Sequence, residues 1–112
     1  MNPNTTLKTE RTRVIFKQEG KEVIAFFPEE SGTRDPYTCS CYAHIGQHSS
    51  ADVGYAADLK PAKEFAALKN ELENRGYVVE VARKFTRAAL EKRRTMCNKL
   101  LTGDLSYDTQ SA

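Results

Sequence analysis

No stretch of this 112-residue chain is apolar for long enough to cross a bilayer. The longest run, Val23 to Phe27, is five residues, against the roughly 20 that a spanning helix needs. Residues 1–12 lack the apolar core of a signal peptide, so the expectation is a cytoplasmic protein without a membrane partner. Cysteine is scarce. Three residues, an odd number, fit reduced thiols better than a disulfide framework. Neither sign of charge dominates: 17 Lys+Arg stand against 15 Asp+Glu, a net charge of +2 that marks no nucleic-acid binder by itself. A Gly-rich phosphate loop, a dinucleotide fingerprint, a nucleophile elbow and a His-Glu-x-x-His helix are all missing. Nothing in the chain calls for a cofactor, and no residue is assigned a catalytic or metal-ligating role.

What is present is a folding composition, 39% hydrophobic and 29% charged, at the size of one domain. Val14-Ile15-Phe16 and Val23-Ile24-Ala25-Phe26-Phe27 are rich in β-branched and aromatic residues and flank Gly20, which predicts a hairpin closed by Pro28. Tyr37 to Ile45 alternates as a third strand, with Cys39, Cys41 and Ala43 on a core face and Thr38, Ser40, Tyr42 and His44 on a polar one. Residues 46–58 read as a long loop. A helix is expected over 61–75, with Pro61 at its first position, Phe65, Leu68 and Leu72 on its core stripe, and Gly76 at its stop. Tyr77 to Ala82 forms a fourth strand. Thr86 caps a second helix, from Arg87 to about Leu101. The resulting expectation is an α+β domain in β-β-β-α-β-α order, one four-stranded sheet with two helices on one face. Its parts are a flexible arm (1–12), a core (13–84), a basic helix (85–102) and a flexible tail (103–112).

Two features stand out from this background. Residues 81–100 hold Arg83, Lys84, Arg87, Lys92, Arg93, Arg94 and Lys99 against Glu91 alone, a local charge of +6. The remaining ten cations and fourteen acids leave −4. Such a segment can neutralise phosphates, which makes Arg83, Lys84, Arg87, Lys92, Arg93 and Arg94 candidate nucleic-acid contacts. The alternative is a solvated or partner-docking helix, because the charges wrap around it and only Phe85 is aromatic nearby.

The second feature is Cys39-Ser40-Cys41-Tyr42-Ala43-His44-Ile45-Gly46-Gln47-His48. A zinc reading fails on spacing, since a strand sends Cys39 and Cys41 to one face and His44 to the other. Tyr42, His44, Gln47 and His48 instead place hydroxyl, imidazole and amide groups together, a set suited to a small planar or anionic ligand. His44 and His48 could also serve acid–base chemistry, with Asp52 or Asp58 as partner, but no nucleophile accompanies them. The bland alternative is that both imidazoles fix the loop.

These residues also carry a likeness. Val23 to Pro28 (VIAFFP), the Tyr-x-His-x-Gly-Gln-His stretch at Tyr42, His44, Gly46, Gln47 and His48, and the helix end at Leu68, Glu71, Leu72, Glu73, Gly76 and Tyr77 resemble a family of small uncharacterised proteins. Members occur in bacteroidal and other bacterial genomes, often in phages and mobile elements. The resemblance covers about Val14 to Val81. It implies an intracellular protein of phage or mobile-element type and transfers no catalytic residue. The reading that results is a non-enzymatic binding module for a host macromolecule or a small polar ligand. Its rivals are a nucleic-acid binder acting through the basic helix and a small hydrolase or transferase using His44 and His48. The oligomeric state is left open.

Overall fold

The computed structural model describes residues 11–43 and 47–102. Strands β1 (Thr12–Glu19), β2 (Glu22–Phe27), β3 (Thr38–Ala43) and β4 (Gln47–Asp52) lead into helix α1 (Val53–Asp58) and the short strand β5 (Lys60–Pro61). Helix α2 (Ala66–Asn74), strand β6 (Val79–Ala82) and helix α3 (Arg87–Thr102) follow. The expected α+β class holds, but the sheet has six strands and not four. Its order is β4-β3-β2-β1, and the far edge of β1 is shared by β5 and β6. Every pair is antiparallel except β1 with β6, which aligns Thr12 with Val79 and Ile15 with Ala82. Apart from Arg11 and Thr12, the expected arm and tail lie outside the described residues.

The hairpin forms where expected, with Gly20 taking the positive φ that its turn requires. The expected loop at 46–58 is corrected to β4 and α1. Gln47 to Asp52 is polar because it lies at the sheet edge, where its pairing comes from the β3 backbone; the Asp52 carboxylate then caps α1 by accepting from the Tyr55 N–H at 3.3 Å. The α2 helix starts later than its apolar stripe suggests. Pro61 pairs opposite Lys17, and Ala62 N–H donates to the Phe16 carbonyl at 3.1 Å. Proline suits this position because an edge strand does not need its missing donor. The helix stop is as expected: Gly76 (φ +104°) follows the last turn, and the Gly76 and Tyr77 amides donate to the carbonyls of Glu73 and Leu72.

Helices on a single face are also corrected, because both faces are covered. Val14, Phe16, Ala25, Phe27 and Tyr42 pack with Leu68 and Leu72 of α2. Ile15, Phe26, Cys39 and Cys41 face the other way, against Ala56 of α1 and Phe85 ahead of α3. Helix α3 is fastened to the connection between β2 and β3 by Arg93, which is only 2% exposed. Its Nε donates to the Pro36 carbonyl at 2.6 Å and its Nη1 to the Pro28 carbonyl at 2.5 Å. That connection lies so close to β3 and β4 that a Cβ on Gly32 would stand 2.4 Å from Ser50 Cβ.

Candidate functional site

The described part of the expected ligand set does not converge. Tyr42 was placed on a polar face; it is fully buried beneath α2, where its hydroxyl donates to the Glu71 carboxylate. The reason is that α2 covers the face which alternation alone makes polar. That hydrogen bond, with burial, raises the Tyr42 phenol above its ordinary value, while Arg75 acts in the opposite sense. His44 and the Gln47 side chain lie outside the described residues. His48 is exposed and, of the described members of the expected set, is the one that lines a groove.

That groove, about 280 Å³, is lined by His48, Arg75, Gly76 and Tyr77. Strand β4 places His48 opposite Tyr42, so its ring lies 4.8 Å from the Tyr42 ring, and the Schellman turn after α2 delivers Tyr77. His48 Nε2 and the Tyr77 hydroxyl are 3.3 Å apart. Beneath them, the Phe27 ring lies near-parallel to Tyr77 at 5.4 Å and to His48 at 6.2 Å. The Arg75 guanidinium sits 5.0 Å from the centre of the Tyr42 ring, a cation–π contact.

Glu30 lies close enough to His48 and Tyr77 to act on both electrostatically. Burial pushes its carboxyl above the ordinary glutamate range, partly offset by the His48 charge. The Tyr77 phenol is likewise raised by burial and by the Glu30 carboxylate, and eased by Arg75. Sequence reasoning missed Arg75 and Tyr77 as groove residues and Glu30 as their charged neighbour. Arg75 and Tyr77 flank a recognisable helix stop, so their neighbourhood was legible; Glu30 has no spacing signal.

No hydroxyl or thiol except the Tyr77 phenol lies within hydrogen-bonding distance of His48 among the described residues. Ser49 turns to the opposite face, 3.2 Å from Cys41 Sγ. Nor do three or more His, Cys, Asp or Glu side chains gather to hold a metal ion among the described residues. Cys39 and Cys41 are buried, and desolvation, with the neighbouring Cys41, pushes the Cys39 thiol up to about 12.

The basic helix is less available than its composition suggests. Arg93 is corrected from candidate phosphate contact to internal clamp, because its guanidinium is buried and committed to two carbonyls. Lys92 pairs with Glu29 at 3.3 Å. Arg94 donates to the Tyr37 hydroxyl at 3.0 Å and pairs with Glu91 at 3.6 Å. Arg83, Lys84 and Arg87 are exposed and enter no ion pair among the described residues.

Comparison with family models, with curated proteins and with solved structures gives no match. No helix among the described residues is long and apolar enough to cross a membrane.

Proposed function

We propose that this chain is a non-catalytic binding module that takes a small planar, polar ligand in the groove between β4 and the end of α2. The observation that carries the reading is the meeting of His48 and Tyr77 at 3.3 Å over the Phe27 ring, beside the Arg75 guanidinium. The buried Phe27 ring holds the two side chains in place, so the His48 and Tyr77 rings and the Arg75 guanidinium are what the groove offers such a ligand. Absence of a nucleophile beside His48 among the described residues favours binding over hydrolysis or group transfer.

Saturation-transfer NMR with uracil, adenine and nicotinamide tests the reading on the full chain. At least one should bind, and His48→Ala and Arg75→Ala should each weaken it by about tenfold, the worth of one good polar contact. Binding that ignores both substitutions, or no binding by any of the three, defeats the proposal.

A second reading, nucleic-acid binding, is favoured by the three unpaired cations Arg83, Lys84 and Arg87. Three phosphate contacts give a duplex salt slope of only about −3. Anisotropy titrations of duplex DNA, single-stranded DNA and RNA at low and near-physiological salt decide it. Substituting those three residues by Gln is the appropriate control, because removing α3 would also remove the Arg93 clamp. Binding lost in the triple variant supports this reading; binding unchanged by it, or none, removes it.

A further inference from the structure

The shared edge of β1 contains a second, unrelated cavity. β6 ends with Ala82 opposite Ile15, and β5 ends with Pro61 opposite Lys17, so the two strands leave a notch of about 290 Å³ between them. Its walls are apolar: Phe16 and Phe65 stack at 4.4 Å with 8° between ring planes, and Pro61 and Val81 stand nearby. Among the described residues, the charged ones lining it are Lys17 and Arg83, and no carboxylate does.

Lys17 is 7% exposed. Its Nζ donates to the carbonyls of Ala57 at 3.2 Å and Leu59 at 3.0 Å, which occupies two of the three ammonium hydrogens. Lys17 and Phe16 are neighbours on β1 and point to opposite faces, so the ammonium stays on the α1 side and leaves Arg83 as the cation of the notch. Arg83, at the exposed mouth, enters no ion pair among the described residues and presents a planar fork. A volume near the lower end of ligand cavities admits one ring, not a drug-sized molecule.

We infer that the notch is a binding site for a small aromatic carboxylate, whose ring lies against the Phe16–Phe65 wall and whose carboxylate meets the Arg83 guanidinium. This site is separate from the His48 groove, and neither needs the other.

The test is a ¹⁵N-amide NMR titration of the full chain with benzoate, beside benzamide (the ring without the charge) and acetate (the charge without the ring). Benzoate should move the amides of Ile15, Phe16 and residues 81–83, and bind at least tenfold more tightly than either control. Arg83→Gln, an exposed substitution that leaves the core intact, should weaken benzoate about tenfold, one charge-assisted hydrogen bond. Val81→Glu, at a position 44% exposed, should weaken it further by repulsion. Equal binding of benzamide, indifference to Arg83→Gln, shifts confined to the His48 groove, or no binding would each overturn the assignment.

Discussion

Glu30 gives up hydration near His48, and the folded protein therefore holds its proton more tightly than the unfolded chain does. The folded value lies above the unfolded one, so stability is fully present below the ordinary glutamate range. It declines as pH rises through the window from that range to the raised value. Glu30→Gln keeps the shape without the charge and should abolish this part of the decline. Urea midpoints should then favour the variant at about pH 7 and converge with the parent near pH 3.5, below the unfolded carboxylate range. A parent as stable as the variant at neutral pH would mean that His48 fully compensates the carboxylate. At this scale the sequence was least informative. His48 could be picked out because imidazole is rare here, whereas Glu30 is one of 15 acids and acquires its character only from what surrounds it.

Among the elements, α3 depends on a single side chain for much of its attachment. Arg93→Met would leave the Pro28 and Pro36 carbonyls without their guanidinium donors and should cost about 3 kcal/mol by urea denaturation. Lys92→Gln, one residue away, removes only an exposed pair and should cost less than about 1 kcal/mol. Similar losses for the two would refute the clamp. The start of α3 was readable, since Thr86 Oγ1 accepts from the Ala89 N–H at 3.1 Å as a capping residue does. So were the hairpin, the Leu68–Leu72 stripe and the Gly76 stop. Strands β4 and β5 were not, because one is polar and the other is two residues long. A further signal passed unused: Val14-Ile15-Phe16 and Ala25-Phe26-Phe27 are consecutive apolar runs, the pattern of strands buried on both faces. Reading only the alternation of β3 concealed the second layer and left Tyr42 on an apparently wet side.

Taken as a whole, the molecule encloses all three thiols, with Cys39 at 0%, Cys41 at 6% and Cys97 at 2% exposure. The raised Cys39 value adds a chemical barrier to the steric one, since the thiolate is the reactive form. Ellman's reagent at about pH 8 should label the native protein slowly and all three thiols promptly in denaturing guanidinium. Rapid labelling of the native chain would mean that the layers over the sheet open readily.

The position of β1 also bears on how the protein is made. Synthesis from the N-terminus delivers β1 and β2 together, and their hairpin needs only neighbouring residues. The other side of β1 waits for β5 and then for β6, whose Val79 must find Thr12. Until residue 82 has left the ribosome, the middle of the sheet is an open edge with apolar side chains on both sides of it. Closure is consequently a late event in translation, and a product terminated early would offer that edge to another chain.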